Sequence, residues 1–224
     1  ENHDHHGLDP QLTFTAPKDG TFVVRVFAFP SQPDSSIRFF GSDACVYRLT
    51  LTTGAFADHA MPLAVSKFED AAKVQLEGWN IPKGLKFESM PTATGTHAVL
   101  VGDVANPVRV RVEAHATFEK LPGELKVPFS FTGRIDKPGT EVLIPFEGKK
   151  GQALALQIES QVFGLPLNPL VRVFDASKKQ LARAEPAKLH SDTALSFTPP
   201  LYKSLTAIVY CPSSGGGSRF VFLL

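Results

Sequence analysis

The residues best suited to metal chemistry stand at the start of the chain. In ENHDHHGLDPQLTFTAP, three histidines (His3, His5 and His6) stand among Asp4 and Asp9, just before a predicted strand. Neutral imidazoles beside carboxylates bind Zn²⁺ or Ni²⁺, and His3 with His5 could converge on one ion. Because no third ligand follows at a regular spacing, we interpret the cluster as a solvated loop. We therefore predict no metal site and no cofactor.

Catalysis would need an activated nucleophile or an acid–base pair, and no sequence motif supplies one. The patterns G-x-S-x-G, H-E-x-x-H, C-x-x-C and the phosphate-binding loop are absent, and residues 41–43 (GSD) lack the flanks of a nucleophile elbow. His59, His97 and His115 could pair with a serine in space. They lie on or beside predicted strands, so we interpret them as surface or hydrogen-bonded histidines. No catalytic residue is predicted.

Two further features could act on or bind a sugar. Asp136, Glu141 and Glu147 lie near one predicted sheet edge, and paired carboxylates can act as general acid and base. We interpret them as solvated charges at strand ends. Trp79 is the only tryptophan and could stack on a sugar ring, but it follows the alternating stretch VQLEG, and we expect it to anchor a small core.

Composition and charge limit the possible classes. The chain has 224 residues, 43% of them hydrophobic and 20% charged, which is typical of a folded globular protein. A net charge of +1 gives no electrostatic case for nucleic acid or an anionic membrane. No apolar run approaches the roughly 18 residues that span a bilayer. Cys45 and Cys211 lack metal-ligand spacing, and we expect each to be a buried free thiol, with a disulfide as the alternative.

An internal repeat gives the opening segment its context. Residues 9–31 (DPQLTFTAPKDGTFVVRVFAFPS) align without gaps on residues 192–214 (DTALSFTPPLYKSLTAIVYCPSS), and 46–51 (VYRLTL) align on 219–224 (RFVFLL). The histidine-rich segment then corresponds to AKLHSD (187–192), the loop that enters the second copy. The same unit therefore occurs twice.

Alternating apolar residues predict β-strands throughout the chain. The clearest predicted strands are TFVVRVFAF (21–29), KVQLEGWNIP (73–82), PVRVRVEAHATFE (107–119), EVLIPF (141–146), ALALQIES (153–160) and LVRVFD (170–175). EGKKGQ (147–152) reads as a hairpin loop between two of them. No stretch of ten or more residues shows a helical period, so the predicted fold class is all-β.

The strands divide into three predicted segments. Residues 1–54 hold only the second half of a β-sandwich, residues 55–125 form a small β-sandwich-like module, and residues 126–224 form a complete antiparallel sandwich. The predicted core of the last segment is Ile144, Phe146, Leu154, Leu156, Val173, Phe197 and Val209.

The C-terminal segment resembles the bacterial pre-peptidase C-terminal domain family, which is related to the collagen-binding domains of clostridial collagenases. The resemblance covers about 95 residues at the C-terminal end, from FTGRIDKPGTEVLIPFEGKKGQ through LPLNPLVRVFDAS to DTALSFTPP, and residues 9–53 resemble the second half of the same pattern. The positions that match include Gly133, Pro138, Gly139, Gly151, Asp175, Asp192 and Phe197. The middle segment is similar to small β modules that accompany such domains.

The resemblance implies a jelly-roll-like β-sandwich without catalytic activity on a secreted or surface bacterial protein. It implies binding to an extracellular polysaccharide or protein matrix, or assistance to an attached peptidase; a structural stalk is the alternative, and an enzyme with an unrecognised site is the third. The expected location is extracellular, cell-surface or periplasmic. Several members bind calcium, but this chain departs where Ca²⁺ would need carboxylates, at Glu141, Asn168 and 184–186.

A half-sandwich at residues 1–53 would leave apolar side chains without a cover. Phe14, Phe22, Val24 and Leu49 would be exposed together with unpaired strand edges. The candidates for the cover are a preceding N-terminal half, the strands of the middle module, or a second copy of the chain. From the sequence we favour the first.

Overall fold

A computed structural model describes residues 1–2, 5, 9–30, 38–69, 73–200, 203–212 and 215–224. These residues divide into two compact units: residues 1–12 with 54–224, and residues 13–53. His3 and His6 of the predicted histidine cluster lie outside the described residues.

The larger unit is built from strands, which confirms the all-β prediction. The strands before residue 128 are β1 (Phe56–Met61), β2 (Ala64–Ser66), β3 (Gln75–Trp79), β4 (Gly95–Val99), β5 (Val108–Glu113), β6 (Ala116–Phe118) and β7 (Leu125–Lys126). Those after it are β8 (Phe129–Arg134), β9 (Val142–Gly148), β10 (Leu154–Ile158), β11 (Leu170–Asp175), β12 (Gln180–Ala184), β13 (Thr193–Phe197), β14 (Lys203–Tyr210) and β15 (Val221–Leu223). A 3-10 turn covers Gln161–Phe163, and within the described ranges no helix is long and apolar enough to cross a bilayer.

The C-terminal part of this unit is a sandwich around one apolar core. The sheet β12-β11-β14-β9-β7 packs on the sheets β15-β8-β6 and β10-β13. Inward residues of both layers are buried, including Ile144, Phe146, Val173 and Val209, as predicted from alternation. Leu154 and Leu156 are also buried, whereas Phe197 is only partly buried and packs on the edge of the core.

The middle part of the unit has a core of its own and shares another with the sandwich. Val108, Val110 and Val112 of β5 are buried in the first, as their alternation predicts. The shared core joins Leu63 and Ala64, beside and on β2, to a second group of side chains: Phe163, Leu165, Val221 and Leu223. Pairing also crosses residue 125, because β6 pairs with β8 and β7 pairs with β9.

One prediction about strand pairing is wrong. Residues 147–152 are not a hairpin loop, because β9 pairs with β14 and β7 whereas β10 pairs with β13. This connection instead carries the chain from one layer of the sandwich to the other. The pairs among the strands from β8 to β15 are antiparallel, as predicted, whereas the short strands β6 and β7 that precede them pair in parallel with β8 and β9.

Residues 13–53 differ from the predicted strand pattern. No strand is assigned to the described residues of this unit, including 21–29 and 46–51, although Phe40 N–H donates to the Ala28 carbonyl at 2.8 Å. Phe14, Phe22, Val24 and Leu49 are 48–63% exposed. A strand needs a ladder of such hydrogen bonds with a neighbouring segment, and none is assigned in the described part of this unit of 41 residues from Thr13 to Thr53.

Candidate functional site

A cleft lies between two strands of the sandwich. It has a volume of about 370 Å³ and is bounded by β10 on one side and by the start of β8 on the other. Leu223 and Leu224, at the end of β15, close one end of the cleft. Its floor is apolar, since Leu154, Leu156 and Phe146 belong to the sandwich core.

Charged and polar side chains on β5 and at the end of β10 converge on the rim of this cleft. An Arg111 guanidinium N–H on β5 donates to Glu159, just after β10, and the same guanidinium lies 3.9 Å from Glu113. Gln157 Nε2 donates to Glu159 at 2.7 Å. The alternation of VRVRV places Arg111 and Glu113 on the face of β5 opposite the buried valines. One guanidinium therefore serves two carboxylates, and the rim has an excess of negative charge.

His115 extends the polar rim to β8. Its Nε2 shares a hydrogen bond of 2.9 Å with the buried Ser130 hydroxyl, and the same nitrogen lies 3.8 Å from Glu113. In a serine–histidine–carboxylate triad the carboxylate binds the other ring nitrogen and thereby holds the base toward the hydroxyl. Here both groups approach Nε2, so the arrangement can bind a polar group but lacks the geometry that activates a serine.

Burial makes Glu159 easier to protonate than an ordinary glutamate. Loss of water raises the pKa of this carboxyl, and the neighbouring Asp192 and Glu113 raise it further, whereas Arg111 acts in the opposite direction. The net direction is upward, so burial outweighs the ion pair. A buried carboxylate with an elevated pKa in a cleft is a common mark of a binding site.

Glu159→Gln gives a test of this burial. A carboxyl with a raised pKa stabilises the fold while it is protonated, below its unfolded-state value of about 4.5, and loses that contribution as pH rises through the folded value. Glutamine stays neutral, so we expect the variant to gain stability relative to the parent chain between pH 4 and pH 7. Urea unfolding of both chains at each pH measures the difference; no change in it would contradict the raised pKa.

A second polar cluster, the Asp58 cluster, lies on β1 away from the cleft. The buried Asp58 carboxylate accepts hydrogen bonds from His59 Nδ1 at 2.9 Å, from Arg219 Nε at 3.0 Å and from His5 Nε2 at 3.1 Å. Beyond it, His59 Nε2 lies 3.6 Å from Glu77, which also accepts from Arg134. The cluster joins the first residues of the chain, the middle part and the sandwich.

These charges set the protonation of Asp58. Burial alone would raise the pKa of its carboxyl, but the hydrogen bonds from His59 and His5 and the positive charge of Arg219 outweigh that effect. The pKa is held well below its usual range. His5 is therefore a hydrogen-bond partner of this carboxylate, and the prediction of a solvated loop residue is wrong for His5.

The remaining predicted candidates do not form a site together. Glu141 pairs with Arg172, and Asp136, Glu141 and Glu147 all lie outside the cleft lining. His97 bonds the Ala93 carbonyl at 2.8 Å. The described positions hold no group of three His, Cys, Asp or Glu side chains placed to bind a metal ion.

Two predictions about burial need correction. Cys45 and Cys211 form no disulfide, but only Cys211 is buried, whereas Cys45 is exposed. Trp79 is only half-buried at the end of β3, with its ring centroid 6.1 Å from that of His5, and it lies outside the core of the middle part.

Sequence reasoning missed the cleft because its polar residues looked like ordinary solvent-facing positions. Arg111 and Glu113 fall on the expected outer face of a half-buried strand. The available signal was Glu159, which ends an alternating apolar run that the fold buries. Comparison with protein-family models and with curated protein sequences finds no match, so the family resemblance rests on the quoted residues alone.

Chelation gives a further test, because the positions that the family resemblance would assign to calcium lack its carboxylates here. We expect EDTA to leave the melting temperature of the chain nearly unchanged. A bound structural ion would instead stabilise the fold by mass action, and its removal would lower the melting temperature. A fall of about ten degrees or more would show that an ion contributes to stability.

Proposed function

We propose that this chain is a non-catalytic β-sandwich module array of a secreted or surface bacterial protein, which binds an extended polypeptide of an extracellular matrix. The observation that carries the proposal is the cleft between β8 and β10, whose sides are strand edges and whose floor is apolar. Strand edges offer main-chain donors and acceptors to an added polypeptide, and alternate side-chain pockets select its sequence.

The cleft favours polypeptide over polysaccharide. Sugar sites commonly present an aromatic ring as a stacking platform, but Phe146 in the floor is buried and Phe129 packs against the core. The half-buried Trp79 lies outside the cleft lining. The Ser130 hydroxyl and the Glu113 carboxylate both approach His115 Nε2, and this arrangement supports a binding role over a catalytic one.

The alternative role as a rigid stalk has a specific observation in its favour. Arg111–Glu159, Arg134–Glu77 and Arg219–Asp58 all link the middle part to the sandwich within the larger unit. Together with the shared apolar core, these pairs resist bending. A stalk would need this rigidity but no open cleft.

A binding array on the whole chain separates these roles. Glycans and denatured or fibrous matrix proteins are presented to the parent chain and to two variants, Ala155→Trp and Ala194→Trp. Ala155 lines the cleft, whereas Ala194 is exposed on the same face of the neighbouring strand β13. We expect polypeptide binding that Ala155→Trp removes and Ala194→Trp retains. No binding at all would favour the stalk, and glycan binding lost in Ala155→Trp would make the ligand a sugar.

A further inference from the structure

The Asp58 cluster holds His5 by both its ring and its backbone. The Nε2 atom of His5 lies 3.1 Å from the Asp58 carboxylate, and its Nδ1 atom lies 3.4 Å from Arg219 Nη1. The His5 carbonyl accepts a hydrogen bond of 3.0 Å from Arg219 Nη2, and its ring centroid lies 6.1 Å from that of Trp79. Residues of β1, of β3 and of the segment before β15 therefore surround one imidazole ring, whose side chain is 14% exposed.

These contacts determine the protonation state of the docked ring. A guanidinium group has donors and no acceptor, so Arg219 Nη1 must donate and His5 Nδ1 must present its lone pair. The proton of a neutral imidazole is then on Nε2, from which it is donated to the Asp58 carboxylate. Docked His5 is therefore neutral, with one ring nitrogen as a donor and the other as an acceptor.

A second proton on His5 would oppose this arrangement. It would replace the lone pair on Nδ1 by an N–H group that faces the Arg219 guanidinium, so that a hydrogen bond becomes a contact between like charges. The Asp58 carboxylate attracts an imidazolium, but it already accepts hydrogen bonds from Arg219 at 3.0 Å and from His59 at 2.9 Å. Its negative charge is therefore compensated before His5 becomes charged.

The charges of the cluster balance without a charged histidine. Asp58 pairs with Arg219. Glu77 pairs with Arg134 and also lies 3.6 Å from His59 Nε2. Among the described residues of the cluster, two carboxylates thus meet two guanidinium groups. An imidazolium at His5 would add an excess positive charge to a site that is largely shielded from water, and burial of such a charge is costly.

The described neighbours of His5 are tied to one another. The His5 backbone N–H donates to the Asp9 carbonyl at 3.1 Å, and the Gln11 backbone N–H donates to the Asn2 side chain at 3.0 Å. Residues 1–12 belong to the same compact unit as residues 54–224. Loss of the His5 contacts would therefore remove a link between the first residues of the chain and the strands of this unit.

We propose that His5 and the Asp58 cluster form a pH-sensitive latch, which holds the first residues of the chain while His5 is neutral and opens when acid protonates its ring. An unperturbed histidine titrates at about pH 6.5, so the change falls between about pH 8 and about pH 5. Asp58 stays ionised throughout this range, because the pKa of its carboxyl is held well below the usual value. The latch does not depend on what the cleft binds.

Trp79 provides the readout, because it is the only tryptophan of the chain and its ring lies beside that of His5. Quenching of its fluorescence by acrylamide measures how far the ring is exposed to solvent. In the full chain we expect a low quenching constant at about pH 8 and a rise at about pH 5 to the value of His5→Ala, which lacks the imidazole at either pH. An unchanged quenching constant in the parent chain would overturn the latch.

Two neutral variants identify the group that titrates. In His5→Gln the amide donates to Asp58 and accepts from Arg219 but cannot titrate, so we expect Trp79 to stay protected at both pH values. In His59→Asn the amide keeps a donor for Asp58 and removes the other titratable ring, so we expect the pH response of the parent chain. A response that survives in His5→Gln, or is lost in His59→Asn, would assign the titration to another group and overturn the proposal.

His5→Lys tests the effect of charge without a change of pH. Lysine is positively charged at about pH 8 and cannot accept a hydrogen bond from Arg219. We therefore expect this variant to expose Trp79 as His5→Ala does, while the neutral His5→Gln protects it. Equal protection of Trp79 in the lysine and glutamine variants would show that charge does not open the latch. Far-UV circular dichroism of each chain confirms that the strands are retained.

Discussion

Replacing Phe222 with alanine is expected to destabilise the larger unit by about 3–5 kcal/mol. Phe222 lies on β15 and is fully buried in the sandwich core, with its ring centroid 6.4 Å from that of Phe131. It also fills the space beside Gly133, where an added Cβ would come within 2.4 Å of the Phe222 ring. Truncation therefore removes apolar contacts and leaves a cavity beside the backbone of β8.

Urea or thermal unfolding measures this loss. For a chain of this size, each kcal/mol shifts the melting temperature by about 2–4 °C, so a fall of roughly 10 °C is expected. Phe68→Ala is the matched control, because that ring is 78% exposed and its removal is expected to change stability by about 0.5 kcal/mol or less. Equal effects of the two truncations would show that β15 is not part of the core.

The parts of the fold predicted from the sequence are those that depend on local alternation. Val108, Val110 and Val112 share a buried face because successive strand residues point to opposite sides, and Ile144 with Phe146 follows the same rule. The turn after β11 was also predictable, since Asp175 Oδ1 accepts from the Ser177 and Lys179 backbone N–H groups at 2.8 and 3.1 Å.

Strand partners could not be predicted in the same way. EGKKGQ has the composition of a hairpin loop, yet the strands on either side of it find partners far along the chain, β14 for β9 and β13 for β10. The predicted strand 21–29 shows the converse: its alternation is strong, but no strand is assigned to it. Alternation determines which side chains share a face, whereas pairing depends on which other strand the fold places alongside.

The polar sites escaped prediction for a related reason. Asp58 and Arg219 are separated by 161 positions, and no spacing rule connects them. Charged residues are typical of a solvated surface, and this holds for Arg111, Glu113 and Glu159. They become a site only because β5 and β10 belong to sheets that meet at the cleft.

The Asp58 cluster gives the second large expected effect. Asp58→Asn removes the charge that compensates Arg219 and orients His59, while keeping the size of the side chain. Breaking a buried ion pair by removing one partner costs about 3–5 kcal/mol, and here the charge that remains, on Arg219, is partly buried. We expect a loss of this order at pH 7 by urea unfolding, and a change of about 0.5 kcal/mol or less for the exposed control Asp103→Asn.

The pH dependence of that loss identifies the carboxylate as its source. The folded-state pKa of Asp58 is depressed below the unfolded value of 3.8, so the ionised group stabilises the fold above that value and loses its contribution as pH falls toward the folded pKa. Asparagine cannot titrate. The part of the difference between the parent chain and Asp58→Asn that comes from the Asp58 charge should therefore shrink below about pH 4. A difference that stays constant into the acid range would mean that lost packing, not lost charge, destabilises the variant. A difference that shrinks would show that the carboxylate holds His5, His59 and Arg219 together, and through them the first residues of the chain, β1 and the end of the sandwich.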